Sequence, residues 1–257
     1  MIRLLSRLWL IMLFMAAPAV AQGIGPGYVL GPEDSITVVV YGQPEAGITT
    51  RIKADGSIVM PLIGNVKAEG QTNITLAKLI ADKLVSGGFL KEPVVNVEIT
   101  TYTSRTANVA GKVTSPGIYP LDRPQRVLDV LLRAGWVREN GATYVYLRRG
   151  GQTEQRLEVE QLVRGDEKSN PLVLAGDTLF VPDADVFYIQ GQINSPGMKP
   201  ILPGMTIRQA IGFSGGVTAT GKPDKVGLIR GNAKEVDADG SQLVQKGDVI
   251  IVKERLF

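Results

Sequence analysis

Residues 109–121 read VAGKVTSPGIYPL, and residues 189–201 repeat the pattern as IQGQINSPGMKPI. The match continues through residues 126–136 and 206–216 at the same offset of eighty positions. Each copy then closes on Gly-Asp between apolar residues, Gly176-Asp177 in the first and Gly247-Asp248 in the second. The last offset is seventy-one, so the first copy carries a longer central insertion. The repetition predicts two copies of one domain.

A Ser-Pro-Gly triplet lies inside each copied motif, as Ser115, Pro116 and Gly117 and again as Ser195, Pro196 and Gly197. Proline fixes φ at the second position of a turn and glycine supplies a positive φ at the third, so both triplets suit type II turns. Each copy therefore predicts strand, turn, strand, helix, strand and closing strand.

One helix in each copy has an apolar stripe. In the second copy we expect Thr206 to cap the helix and Gly215-Gly216 to end it, with Ile207, Ala210 and Ile211 buried. In the first copy the expected buried residues are Leu128, Leu131 and Leu132, and Gly135 ends the helix. Such a stripe is buried most economically against a small sheet, which predicts a fold of α+β class.

The region before the repeats predicts a third unit. Asp55-Gly56 lies between two strand-like runs and favours a hairpin. A helix is expected behind the candidate caps Asn73 and Thr75, with Gly87-Gly88 at its end and Leu76, Leu79, Ile80 and Leu84 buried. A strand follows at residues 93–100. The chain thus divides into three small consecutive domains, at residues 22–104, 105–184 and 185–257.

Residues 1–21 have the pattern of a signal peptide. Arg3 and Arg7 precede an apolar run, and Ala19-Val20-Ala21 predicts cleavage near Ala21/Gln22. The alternative of an uncleaved anchor is disfavoured because the apolar run is too short to span a bilayer comfortably. The mature chain is expected to be soluble and periplasmic. Cleavage would remove Arg3 and Arg7, so the net charge would fall from +3 to +1. Acidic residues also interrupt the basic stretches of the remaining chain. Both observations argue against nucleic-acid binding.

The inventory of side chains argues against catalysis. The sequence contains no histidine and no cysteine, so the usual general base, the thiol nucleophile and most metal ligands are missing. The acidic pairs Glu33-Asp34, Asp183 with Asp185, and Asp237 with Asp239 lie in turns, where Asp normally binds backbone amides. We expect no catalytic residue, no cofactor and no metal, although a carboxylate-only metal site at Asp237 and Asp239 stays an alternative.

Aromatic residues are sparse in the repeats. The visible set is Trp136, Tyr144, Tyr146, Phe187 and Tyr188. Core packing is the favoured interpretation, with sugar recognition as the alternative. The scarcity suits a conduit, because a polymer in transit must not bind strongly at any one point.

These motifs resemble those of the bacterial polysaccharide export proteins of the Wza type. The export domain of that family opens with Tyr-x-Leu-Gly-Pro-x-Asp and continues with Asp-Gly-x-Ile-x-x-Pro-x-x-Gly, and two SLBB (soluble ligand-binding β-grasp) domains follow here. The matching structural positions are Gly31, Asp34, Asp55, Gly56, Pro61, Gly111, Gly191, Gly176, Asp177, Gly247 and Asp248. The resemblance covers residues 27–254.

The resemblance implies export of a capsular or secreted polysaccharide through the periplasm. Members form ring-shaped homo-oligomers, commonly octameric, and work with an inner-membrane polysaccharide co-polymerase. Within such a ring the two Ser-Pro-Gly loops are candidate subunit-contact or lumen-facing loops, because exposed loops on a rigid scaffold make contacts. The family's lipidated cysteine and carboxy-terminal amphipathic helix are not found in this sequence. We therefore expect a separate outer-membrane β-barrel to complete the route.

Two other functions stay open at this point. The first alternative is a monomeric periplasmic module that binds a carbohydrate or another small ligand. The second, weaker alternative is a carbohydrate-active enzyme that uses a pair of carboxylates.

Overall fold

The computed structural model describes residues 27–255, and three successive domains fill this range, each with its own apolar core. The fold is α+β, as the sequence predicts. The predicted signal peptide, residues 1–21, and the expected cleavage site near Ala21/Gln22 lie outside the described residues.

The first domain combines a three-stranded antiparallel sheet, a hairpin and one long helix. The sheet has the order β2-β1-β5. Its strands are β1 (Ser35–Val40), β2 (Ile48–Arg51) and β5 (Val95–Thr101), and a short 3-10 helix spans Pro44–Ala46. The hairpin consists of β3 (Ser57–Met60) and β4 (Gly64–Lys67), and the helix is α1 (Asn73–Ser86).

The second and third domains share one topology. The second contains β6 (Thr106–Gly111), β7 (Gly117–Pro120), α2 (Val127–Arg133), β8 (Tyr144–Arg148), β9 (Gln155–Glu158), α3 (Val159–Arg164) and β10 (Thr178–Val181). The third contains β11 (Val186–Gly191), β12 (Gly197–Pro200), α4 (Ile207–Phe213), β13 (Gly221–Ile229), β14 (Val236–Ala238) and β15 (Val249–Glu254). The sheet orders are β7-β6-β10-β8-β9 and β12-β11-β15-β13-β14.

In both sheets the first and last strands of the domain lie side by side and run parallel, and the other pairs are antiparallel. Val109 is thereby the register partner of Leu179, and Ile189 is the partner of Ile250. The extra length of the first copy includes α3, which has no counterpart in the third domain.

The repeat helices bury equivalent residues. Ile207, Ala210 and Ile211 of α4 are buried as expected, and Thr206 caps the helix in a capping box with Gln209. In α2 the expected stripe was partly wrong. Val127, Val130 and Leu131 are the buried residues of that helix, whereas Leu128 is half-buried and Leu132 is 58% exposed. Each of these three residues lies eighty positions before one of the buried residues of α4.

The helix of the first domain begins one residue earlier than its expected caps. Thr72 is the N-cap, and its hydroxyl accepts from the Thr75 amide while the Thr75 hydroxyl accepts from the Thr72 amide. Asn73 is the first helical residue. Leu76, Ile80 and Leu84 are buried in the core, as expected, and Leu79 is half-buried.

The hairpin predicted at Asp55-Gly56 was partly wrong, because the turn is present but its flanking strands do not pair with each other. The chain does reverse there, because the Lys53 amide donates to the Ser57 carbonyl at 2.9 Å and Gly56 has φ +76°. The flanking strands do not form a hairpin, however. Strand β2 pairs with β1, while β3 pairs with β4 through the loop of Pro61–Ile63.

Candidate functional site

The two Ser-Pro-Gly loops are anchored to the end of the helix in the same domain. The Ser115 amide donates to the Ala134 carbonyl at 2.8 Å, and the Ser195 amide donates to the Ser214 carbonyl at 2.9 Å. The positive φ expected at the glycine of each turn is found in the second copy but not in the first. Gly117 does not adopt a left-handed φ and Gly197 has φ +121°, and each glycine begins the following strand.

A side chain from the following strand closes each loop. The Tyr119 hydroxyl donates to the Ser115 carbonyl, and the Lys199 ammonium donates to the Ser195 hydroxyl at 2.9 Å. Pro116 and Pro196 are exposed. The loops are thus held in place from two sides while their tips face solvent, which suits them to make contacts.

Gly111 and Gly191 allow the two parallel strands of their own domain to approach each other closely, β6 and β10 in the second domain and β11 and β15 in the third. Both have φ +90°, and a Cβ at Gly111 would lie 2.0 Å from the Val181 carbonyl oxygen. At Gly191 the corresponding distance to the Val252 oxygen is 2.2 Å. Only glycine fits such a close approach with a left-handed backbone.

The Gly-Asp motifs hold ion pairs in which the carboxylate is buried and the arginine is partly exposed. Asp177 and Asp248 are almost fully buried, and each accepts a backbone amide hydrogen bond from three residues upstream. Each is also bound by both Nε and Nη2 of one arginine, Arg149 at 2.9 and 2.7 Å and Arg230 at 2.9 and 2.8 Å. Hydrogen bonding to the buried carboxylate raises the pKa of each guanidinium.

These two arginines were missed as functional partners of the motif. They lie eighty-one positions apart, close to the repeat offset, and each follows an apolar strand. This recurrence in the sequence could have identified both arginines as partners of the Gly-Asp motifs. Gly176 and Gly247 precede the carboxylates at φ +85° and +78°, with open space where a Cβ would lie, so only their backbone conformation favours glycine.

Asp34 ties the start of the first domain to the linker that leaves it. Its buried carboxylate accepts from the Gly31 and Thr103 amides at 2.9 and 2.8 Å, and from both the amide and hydroxyl of Ser104 at 2.8 Å. The Tyr28 hydroxyl donates to it at 2.9 Å. Burial raises the pKa of Tyr28 to about 12, with the Asp34 contact adding to the rise.

Asp55, Gly56 and Pro61 shape the hairpin of β3 and β4. The Asp55 carboxylate accepts from the amide and hydroxyl of Ser57 at 2.9 and 2.7 Å, and these hydrogen bonds lower the pKa of Asp55. Gly56 faces Glu69, whose side chain would meet an added Cβ at 2.3 Å. Pro61 opens the loop to β4. Asp55 and Gly56 thus lie just before β3, and Pro61 lies between β3 and β4.

The remaining acidic pairs also bind within the protein. Asp183 pairs with Lys112 at 3.0 Å, and Asp185 pairs with Lys246 at 3.1 Å and accepts from the Tyr144 hydroxyl. Burial, followed by the charge of Asp185, raises the pKa of Tyr144 to about 12.

Near the end of the third domain, Asp237 pairs with Lys253 at 2.8 Å and Asp239 accepts from Ser241. Within residues 27–255 no group of three metal-binding side chains converges.

The aromatic residues divide between core and surface. Phe187 and Tyr144 are buried, in line with core packing, whereas Tyr188 is 46% exposed and contradicts that expectation. The Arg156 guanidinium lies 3.5 Å from the centre of the Tyr144 ring. Trp136 is half-buried, packs against the core of the second domain and has φ +73°, a rare conformation for a bulky residue.

Two volumes adjoin the second domain. A cavity of about 420 Å³ lies between Tyr144 and Arg156 of the second domain and residues 200–205 of the third. A wider groove of about 650 Å³ runs between Trp136 and α3, with Val163 on its wall. Both have volumes typical of small-ligand sites.

No helix within residues 27–255 combines the length and apolar character that a bilayer crossing requires. Residues 22–100 match the family model described as polysaccharide biosynthesis/export protein, and residues 106–158 and 186–245 match the SLBB domain. These are families of non-enzymatic export proteins, in agreement with the expectation from the side-chain inventory.

Two curated relatives are similar along most of the chain. The polysialic acid transport protein KpsD of Escherichia coli is 25% identical over 240 residues, which cover 90% of this chain and 42% of KpsD. The EPS I polysaccharide export outer membrane protein EpsA of Ralstonia nicotianae is 25% identical over 236 residues, which cover 79% of this chain and 61% of EpsA. The chain therefore spans less than two thirds of either relative. Taken with the ordered domain matches, these similarities show that the chain belongs to the Wza-type polysaccharide export family, with an export domain followed by two SLBB domains.

Proposed function

We propose that this protein is a periplasmic, ring-forming component of a capsular or secreted polysaccharide export machine. The observation that carries the proposal is the uninterrupted order of one export domain and two SLBB domains, matched by family models and folded as three linked units. Polysaccharide export also appears in the names of the family and of EpsA, and polysialic acid transport in that of KpsD.

Rigid linkers support a stacked arrangement of rings. Only four residues separate β5 from β6, and four separate β10 from β11. The first linker is bound by Asp34, as described above. In the second, Asp183 pairs with Lys112, the Ala184 amide donates to the Asn140 carbonyl at 2.9 Å, and Asp185 is bound by Tyr144. Linkers held in this way would keep each domain in register with the same domain of a neighbouring subunit.

The sheets of both SLBB domains offer surfaces for such neighbours. Helix α2 or α4 covers one face, and the opposite face exposes apolar side chains. Ile118 and Met198 occupy equivalent positions directly after the Ser-Pro-Gly loops and are 70% and 63% exposed. Phe180 is a further exposed apolar residue of the second domain, and Tyr188 is one of the third. Exposed apolar side chains beside rigid loops suit subunit contacts, and a ring requires each surface to meet a different surface of the next subunit.

In this proposal the ring receives polysaccharide from an inner-membrane co-polymerase and passes it to an outer-membrane component. The protein works by the geometry of its assembly and performs no chemical step. The Ser-Pro-Gly loops, Ser115 to Gly117 and Ser195 to Gly197, contact the neighbouring subunit or face the lumen.

The test is the mass and symmetry of the protein purified from the periplasm, by light scattering and negative-stain microscopy, with and without the co-expressed inner-membrane partner. We expect a closed ring in at least one condition. The double variant Ile118→Lys, Met198→Lys should yield smaller species, whereas Val85→Lys, an exposed change on α1, should assemble normally. A monomer in both conditions would contradict the proposal.

A monomeric carbohydrate-binding module is the second candidate, and the groove beside Trp136 favours it. The same mass measurement separates the two functions. A monomer that binds oligosaccharide, in a strain whose polysaccharide secretion survives deletion of the gene, would support the module.

A further inference from the structure

The groove beside Trp136 is lined by the second domain, with Pro203 of the third domain at its border. Trp136 occupies the position that Gly216 holds in the third domain, and the two residues have φ +73° and +75°. One repeat thus places glycine where the backbone requires it, and the other places the largest side chain there. A strained, bulky residue at such a position indicates a use for its side chain.

The opposite wall is the second departure from the repeat. Helix α3 lies in the insertion that lengthens the second domain, and Val163 on this helix is 56% exposed. Trp136 and Val163 line the same groove, which Pro203 of the third domain borders. The two differences between the copies, Trp136 in place of glycine and the insertion that contains α3, therefore lie on one surface.

The residues that line the groove combine an aromatic side chain with charged groups. Trp136 is half-buried, packs against the core of the second domain and also lines the groove. Arg138, Glu158 and Glu160 also line it and supply hydrogen-bonding groups of both charges. Aromatic faces pack against the apolar faces of sugar rings, while charged and polar groups at the edges bind hydroxyls.

The charge of the groove favours a neutral sugar. Glu158 pairs with Arg156 at 2.9 Å and Glu160 with Arg164 at 3.0 Å. The charged residues that line the groove are two arginines and three glutamates, Arg138, Arg164, Glu139, Glu158 and Glu160. A strongly acidic polymer would find no excess of positive charge there. The partly covered indole limits the contact area, which keeps binding weak enough for release.

We propose that this groove binds a neutral oligosaccharide segment of the translocated polymer, weakly and reversibly. The inference rests on the proposed export function, because that function brings the polymer to the protein. It adds a guiding contact specific to the first SLBB domain.

Intrinsic fluorescence tests this contact, because the chain of residues 22–257 contains all three cores and Trp136 is its only tryptophan. The titrants are maltohexaose, cellohexaose, a hyaluronan hexasaccharide as the acidic probe, and a partial hydrolysate of the source bacterium's polysaccharide. We expect a saturable change in emission with a neutral probe or the hydrolysate, with half-saturation in the millimolar range.

The variant Val163→Lys keeps the fluorophore and fills the groove with a charged chain, so it should weaken binding at least tenfold. The matched variant Val85→Lys should bind normally, because Val85 lies on α1 of the first domain. Calorimetry on Trp136→Gly, which introduces the residue of the other repeat, should show no heat of binding, with circular dichroism confirming the fold.

Four results would overturn the inference: no saturable change with any titrant, binding of the acidic probe only, binding unaffected by Val163→Lys, or emission that changes with protein concentration in the absence of sugar. The last would identify a subunit contact. Ring formation without sugar binding would remove this inference and leave the proposed function standing, whereas a monomer in all conditions would count against the export proposal separately.

Discussion

Replacing Gly191 with alanine should open the parallel strand pair of the third domain. Ordinary contacts of a Cβ begin near 3.4 Å, but at this position the Val252 carbonyl oxygen would lie at 2.2 Å. Strands β11 and β15 would have to separate by about 1 Å, which weakens the 2.9 Å bond from the Gln192 amide to that oxygen. The left-handed φ costs about 1–2 kcal/mol, the overlap about 1–3, and the hydrogen bond about 1.

The expected loss of stability for Gly191→Ala is therefore about 3–6 kcal/mol. Gly204 supplies the matched control in the same domain, since its φ is +69° and open space lies where a Cβ would be added. Gly204→Ala should cost only the conformational term, about 1–2 kcal/mol.

Urea unfolding followed by circular dichroism would measure both losses. Hydrogen exchange on peptides covering β11 and β15 would place the effect of Gly191→Ala in the strand pair. Equal losses for the two variants, or unchanged protection of β15 in Gly191→Ala, would refute the argument from close approach.

Three further outcomes are expected. Arg230→Met leaves a fully buried carboxylate without its cation. Because Arg230 itself is 40% exposed, the third domain should lose about 2–3 kcal/mol in urea, whereas Arg148→Met breaks an exposed pair and should cost less than about 1. Thr206→Ala removes the cap of α4 and should cost about 1 kcal/mol in the same assay. Burial raises the pKa of Tyr28 from 10.0 to about 12. The stability contributed by the neutral Tyr28 hydroxyl is therefore complete below pH 10 and is lost as the pH rises towards 12. The variant Tyr28→Phe should show a smaller fall in melting temperature between these pH values.

The repeat itself made much of the fold predictable. The offset of eighty relates the buried residues of α2 and α4, and the error over Leu132 came from choosing leucines by type. Transferring Ile207, Ala210 and Ile211 by position would have given the correct stripe. Internal duplication therefore carries more information about burial than residue type does.

Long-range strand pairing was beyond the sequence. A local Asp-Gly signal predicts that the chain reverses, but it does not decide which strand each flank will join. Strand β2 pairs with β1, whose other neighbour is β5, and β3 pairs with β4. The conformation of the Ser-Pro-Gly loops also depends on distant residues, because the amides of Ser115 and Ser195 donate to the carbonyls of Ala134 and Ser214 at the helix ends.

The candidate site was only partly accessible from the sequence. The motif glycines and aspartates were found, but their arginine partners and the groove beside Trp136 depend on residues far apart in the chain. The left-handed φ of Trp136 could have been inferred from its alignment with Gly216, since glycine at the end of a helix often adopts that conformation.

The parallel pairing of first and last strands has a consequence for how the protein is made. A chain emerges amino terminus first, and β6 cannot acquire its inner neighbour until β10 has been synthesised. The same holds for β11 and β15 at the very end of the third domain. Until then each unfinished sheet leaves the inner edge of its opening strand unpaired, and such edges promote association between chains. Folding of each SLBB domain is thus expected to be completed late in its synthesis, and a chain truncated before residue 249 should retain two folded domains and one that aggregates.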